Sequence, residues 1–370
     1  MKFSILKENL QKGLSVVNRI IPAKPQLPVL NNILIKATDG ELKLIGTNLE
    51  TGIVINVGAK IEIPGEITVA GKLLTEFISQ LPAEKIEIVL ENEILKIKTN
   101  KTEAKFNTLS AKEFPPIPSL KQKADMVFKI DKLFDGISKT AFAASIDEGR
   151  PILTGIKLMI DKKGLQLSAT DGYRMSIVQE SLGEGWEESE MVFSAKTLVE
   201  VVRIAQEEKQ EEIGLSLIKD KNQAIFSTPS TQIVTRLIDG EFPNIEKIIP
   251  VSFKTRVIFD KEVFLQSVKI ASLFARGASN IVKFKIEKNG VAIFANTPQV
   301  GENQDFVEAE VEGEETEVAF NYRFLLDLLN NFSDKQIAFE TTGALNPGVF
   351  KPVSSKSSFL HVIMPVRLQG

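Results

Sequence analysis

The chain has 370 residues, 43% of them hydrophobic and 25% charged, and its 45 basic and 48 acidic side chains leave a net charge of −3. At about 150 residues per domain this is two or three domains, and the composition excludes a disordered, collagen-like or generally basic nucleic-acid-coating chain. With no cysteine and a single histidine, His361, a disulfide framework, a thiolate nucleophile and a cysteine-ligated or multi-histidine metal site are excluded as well.

Residues 2–6 alternate as a strand does, and from Lys7 to Ile20 the spacing of Leu10, Leu14 and Val17 predicts an amphipathic helix. Runs rich in Ile, Val and Leu near 31–37, 41–46 and 51–57 read as strands. The pattern then restarts with a strand at 66–70, a helix at 72–80 and strands near 85–90, 94–98 and 103–108. Further helices are expected near 131–145, 196–206, 260–274 and 322–330. Each third is therefore strand, helix and three strands, written twice. Sheets dominate and helices are few, so the fold class is α+β.

Long-range self-similarity supports this division. Asp39-Gly40, Lys163-Gly164 and Asn289-Gly290 recur 124 and 126 residues apart. Each is followed by a polar turn, at Thr47-Asn48-Leu49, Thr170-Asp171-Gly172 and Ala295-Asn296-Thr297, and then by a helix start, at Gly71-Lys72, Ala195-Lys196 and Tyr322-Arg323. Glu113-Phe114-Pro115 and Glu241-Phe242-Pro243 close the first two copies. The period is domain-sized, far beyond the 20–50 residues of solenoid repeats. Three similar domains are expected at 1–121, 122–249 and 250–370, with the Pro-rich stretch from Pro115 to Lys123 as the first linker.

Chemistry is mostly absent. Gly65 to Gly71-Lys72 has one residue too many for a phosphate loop, and Leu73 stands where a magnesium-holding Ser or Thr is needed. The acidic runs 184–190 and 310–317 read as solvated loops. His361 lies in a strand-like run with no acidic neighbour, which suits a structural histidine better than a hydrolase base. Phe supplies 23 aromatics against 2 Tyr and 1 Trp, which suits cores rather than base-stacking platforms. No catalytic residue, cofactor or metal is expected. Two features remain. Residues 7–24 carry Lys7, Lys12, Arg19 and Lys24 against Glu8, and the apolar end from Leu360 to Leu368 must be buried or line a groove. No signal peptide or membrane span is apparent, so a cytoplasmic location is expected.

Ala169-Thr170-Asp171-Gly172-Tyr173-Arg174-Met175, Asp239-Gly240-Glu241-Phe242-Pro243 and Met364-Pro365-Val366-Arg367-Leu368 together resemble the bacterial DNA polymerase III beta subunit family, the sliding clamps. Met1-Lys2-Phe3 and the segment from Pro25 to Leu34 are similar too. The resemblance implies a head-to-tail homodimer with helices around a central hole that encircles duplex DNA without reading its sequence. Lys24, Lys72, Arg150 and Lys196 would then face DNA, and helix placement alone adds Lys7, Lys12 and Arg203. It also implies a groove that takes short linear motifs from the DNA polymerase III alpha subunit, the clamp loader and repair proteins. Its wall would be Leu153, Thr170, Gly172, Tyr173, Arg174, Met175, Pro243, Ile248, Val362, Met364, Pro365, Val366 and Arg367. Tyr173 and Met175 stand where the family often has His and Leu, and Lys247 where it often has Arg. At the dimer seam, Lys96, Lys98, Lys105 and Phe106 would face Leu273, Phe274, Glu302, Asp305 and Glu308. The other reading is a three-domain β-rich peptide-binding scaffold that does not encircle DNA.

Overall fold

The computed structural model describes the chain apart from residues 26, 39, 120–122, 183–185, 278, 299–300, 355–357 and 368–370. The expected junction at 121/122, Gln26, Asp39, Glu184 of the first acidic run and the terminal Leu368 lie outside the described residues. Among the described residues there are six α-helices: α1 Lys7–Asn18, α2 Gly71–Gln80, α3 Ile130–Thr140, α4 Ala195–Glu207, α5 Lys261–Ala275 and α6 Tyr322–Asn330. No helix among them is long and apolar enough to cross a membrane.

The expected order of strand, helix and three strands, written twice, is present in each third. Two short strands were not anticipated. Lys60–Ile63 and Glu310–Gly313 each pair with the first strand of their own third. They are four residues long and charged, as edge strands often are. Helix α1 stops two residues before Ile20, because Pro22 bars the residue before it from helical geometry. Helix α3 ends at Thr140 rather than 145. A 3₁₀ turn, Ala141–Ala143, follows and continues the apolar pattern without the α-helix.

The first helix of each third lies close on a sheet, and its seventh residue is small: Gly13, Gly136 and Ser267. A Cβ on Gly13 would come within 2.7 Å of Leu44 and 2.8 Å of Val57. On Gly136 it would come within 2.7 Å of Leu167. Phenylalanine fills the cores, as expected. Phe284, Phe320, Phe339 and Phe350 are all fully buried and meet in edge-to-face and stacked contacts.

Contacts gather the chain into two compact units, Met1–Asp131 with Glu200–Leu237, and Lys132–Val199 with Ile238–Gly370. The middle third is divided between them because each of its sheets continues into that of a flanking third. In the first unit Thr231–Arg236, the last strand of copy two, pairs antiparallel with Thr51–Val57 of copy one, within a 13-stranded sheet. In the second unit Phe359–Ile363, the last strand of copy three, pairs antiparallel with Arg174–Glu180 of copy two, within a nine-stranded sheet. The same joint is thus made twice. Two strands of the same kind are left over. Glu103–Leu109, the last strand of copy one, has a neighbour on its outer side only at Thr108 and Leu109. Gly301–Glu308 of copy three is bonded to Gly290–Thr297 alone and forms the edge of a four-stranded sheet.

Candidate functional site

The second unit holds a half-open apolar groove lined by Leu153, Thr170, Gly172, Tyr173, Arg174, Met175, Pro243, Ile245, Ile248, Val362 and Met364. Its floor is rigid: Leu153, Met175, Ile245 and Val362 are buried, and Met175 faces Val362 across the inter-copy strand pair. Its rim is open, with Tyr173 62% and Met364 38% exposed.

The turn that carries Tyr173 is built from its own polar side chains. Asp171 Oδ1 accepts the backbone N–H of Tyr173 at 2.8 Å and of Arg174 at 3.0 Å. Thr170 Oγ1 accepts the Gly172 N–H and donates to the Arg174 carbonyl. Such Asx and Thr turns fix the backbone locally. Gly172 sits at φ +91°, which glycine adopts without a Cβ clash. The chain end is tied to the same turn. The last strand stops at Ile363, and the Met364 N–H donates to the Tyr173 carbonyl at 2.8 Å. Pro365 has no N–H to extend the ladder. The Val366 N–H then donates to the Ala319 carbonyl. Pro365, Val366 and Arg367, expected in the wall, follow Met364 and are not among the residues that line this cavity.

Arg174 faces inward. Its side chain is only 9% exposed, with Nε 3.1 Å from Asp171 Oδ2 and Nη1 2.6 Å from Asp327 Oδ2 on α6. The guanidinium lies over the Phe324 ring at 4.6 Å. Two residues along the strand, Ser176 Oγ is 2.7 Å from Nδ1 of His361, which is wholly buried between Phe142 and Phe359. Burial, with the nearby Arg174 charge, holds the His361 imidazole well below its ordinary value of 6.5. It is the structural strand histidine expected, and neutral.

The cations expected at DNA are surface residues. Lys24 follows α1, while Lys72 and Lys196 are the second residues of α2 and α4. Arg323 holds the same place in α6. All four are exposed, and none is in an ion pair among the described residues. Lys7 is partly buried, and Lys12 is exposed on α1. Arg203 is engaged with Glu200 and Glu207, to which Arg19 also binds, at 2.8 Å to both Glu207 oxygens. Arg150 pairs with Asp147 and reaches the Asp171 carbonyl, beside the groove turn.

Of the expected seam residues, Lys96 pairs with Glu91 and Lys98 with Glu103. Lys105 is exposed and sits directly opposite Lys96, an unfavourable like-charge cross-strand pair. Phe106, expected at an open seam, is already buried at 8% exposure, edge-to-face with Phe77. Its alternate position in the strand turns it into its own domain. Leu273 is 57% exposed, whereas Phe274 packs against the core of the last third. Glu302 and Glu308 are exposed and Asp305 partly so, on the unpartnered strand.

Two residues were missed. Ile245 lines the groove, and its signal was the repeated Phe-Pro-x-Ile at 114–117 and 242–245. Phe306 is an exposed aromatic on the otherwise polar edge strand Gly301–Glu308.

Family descriptions of the DNA polymerase III beta subunit match in order along the chain: the N-terminal domain at 1–118, the central domain at 128–244 and the C-terminal domain at 246–367. The chain is 30% identical to the beta sliding clamp of Bacillus subtilis over 99% of its own length and all of the relative's. It is 28% identical to the beta sliding clamp of Synechococcus elongatus over the whole of both. The crystal structure of the DNA polymerase III beta subunit from Thermotoga maritima superposes with a TM-score of 0.92, at 28% identity and full coverage of both chains.

Proposed function

The chain belongs to the DNA polymerase III beta subunit family, and from that premise we propose how it works as a DNA sliding clamp. Two copies close head to tail into a ring of six domains, with boundaries in each chain at 1–121, 122–249 and 250–370. The ring encircles duplex DNA and tethers the polymerase. The scaffold reading gives way, since the relatives matched over their whole length are sliding clamps.

The repeated strand joint carries this reading. Met175 faces Val362, and Gly52, its counterpart in copy one, faces Val234. The hairpin bonds Thr99 N–H to Thr102 and Thr228 N–H to Thr231 put Lys105 of copy one at the place of Val234. The pairing of Thr170 with Met175 and of Asn296 with Glu302 puts Glu302 at the place of Met175. Making the joint a third time, between copies, sets Lys105 of one protomer opposite Glu302 of the other. It also covers both unpartnered edges, a state proteins normally avoid leaving open, and gives the Lys96–Lys105 repulsion a compensating carboxylate. The native mass tests it: the account requires a dimer near twice 40.9 kDa.

Retention on DNA is topological, so modest contacts suffice and the net charge can stay negative. Lys24, Lys72 and Lys196 touch phosphates without reading bases. A cation in the first turn of a helix opposes the helix dipole at a cost of about 0.3–1 kcal/mol, and its recurrence in α2, α4 and α6 suits an anionic partner. Arg150 is the fourth cation of this DNA-facing set. The groove takes a short linear motif, a Gln followed by Leu or Phe, from the polymerase alpha subunit, the clamp loader or repair proteins. Burial of one or two apolar side chains at about 1.5–3 kcal/mol each, less ordering costs, gives micromolar affinity. The role is non-catalytic and cytoplasmic.

A further inference from the structure

We infer that Asp327 on α6, outside the groove lining, is a positioning residue for the groove: it holds the Thr170–Arg174 turn in place through the Arg174 guanidinium. The inference rests on the groove reading above. Arg174 is part of the wall, yet its guanidinium is engaged by residues that do not line the groove. Nη1 meets Asp327 Oδ2 at 2.6 Å, Nε meets Asp171 Oδ2 at 3.1 Å, and the plane lies over Phe324 at 4.6 Å and near Phe142 at 5.8 Å. Asp171 is the residue whose other oxygen accepts the Tyr173 and Arg174 amides. One chain of charge-assisted bonds therefore runs from α6 in the last third, through Arg174 and Asp171, to the backbone that presents Tyr173. Such bonds are the stronger and more directional kind.

Asp327 is 46% exposed and far along the sequence from the turn, and it does not line the groove. Its carboxylate removes the cost of a nearly buried guanidinium left with one anionic partner. Without it, Arg174 can turn outward and draw Asp171 from the two amides, so that Tyr173 and the Met364 N–H it accepts from lose their place. The groove's shape thus depends on how α6 sits against the strand Arg174–Glu180.

The test uses the full-length dimer and a fluorescein-labelled short peptide carrying Gln, Leu and Phe. Asp327→Asn should weaken binding about three- to tenfold, by loss of one charge-assisted bond. Asp327→Glu, which keeps the carboxylate, should restore most of it. Amide hydrogen exchange at residues 172–174 should quicken in Asp327→Asn and recover in Asp327→Glu, with no peptide present. Unchanged exchange in Asp327→Asn overturns the inference whatever the peptide does. A chain lacking residues 364–370 serves as the second arm. Lost binding there, with wild-type affinity in Asp327→Asn, sinks the positioning role alone. Wild-type affinity in the truncated chain removes the groove reading instead.

Discussion

Lys105→Glu is the sharpest perturbation of the proposed seam. In the chain itself the change is benign: Lys105 is exposed and opposes Lys96, so an acidic residue there relieves a like-charge pair. Across the seam it turns an attraction to Glu302 into a repulsion. An exposed ion pair contributes about 0.2–1 kcal/mol, and a like-charge pair costs about the same, so the reversal costs about 0.5–2 kcal/mol per seam. A two-protomer ring has two seams. The total of about 1–4 kcal/mol is about fivefold to about 700-fold in the dimer dissociation constant. Sedimentation equilibrium at low salt, where surface charges are least screened, reads this directly. Lys105→Glu combined with Glu302→Lys restores the pair at both seams and should recover most of the dimer. A dissociation constant within twofold of wild type for Lys105→Glu, or no recovery in the double variant, would show that the third joint is not made in this register.

Three further outcomes are expected. Deleting residues 364–370 removes the Met364 bond to the Tyr173 carbonyl and one rim of the groove, so titration of the labelled peptide should show no binding while the native mass stays dimeric. Replacing Lys24, Lys72 and Lys196 with Ala should shorten retention on DNA and flatten its dependence on salt, without base preference in either protein. His361 stays neutral in the fold because burial depresses its pKa, while the unfolded chain takes up a proton below about 6.5. The unfolded state therefore binds more protons there, and stability falls as pH drops below that value by at most about 1.4 kcal/mol per pH unit. His361→Gln should lose this component, seen as a smaller drop in thermal midpoint between pH 7 and 5; an equal drop in both proteins would refute it.

The periodic elements were readable because one face of each is buried: Leu10, Leu14 and Val17 mark α1 as clearly in sequence as in burial. The threefold repeat was readable through its turns. Lys60–Ile63 and Glu310–Gly313 were not, since a charged edge strand buries too little to leave an apolar pattern. The groove was anticipated through family motifs, and ten of its thirteen expected residues line one cavity. The bond from Arg174 to α6 had no local signal, because Asp327 is 153 residues away. The burial of Phe106 is likewise not legible locally: an aromatic in a strand does not announce its face, and here α2 supplies Phe77 to cover it.

The central claim is that this chain holds DNA by enclosing it. The most direct measurement loads the protein onto a nicked circular duplex, then cuts the circle once with a restriction enzyme and follows bound protein by gel filtration. The account predicts stable retention on the circle and rapid loss from the cut, open-ended DNA at the same salt. Equal retention on both forms would contradict it.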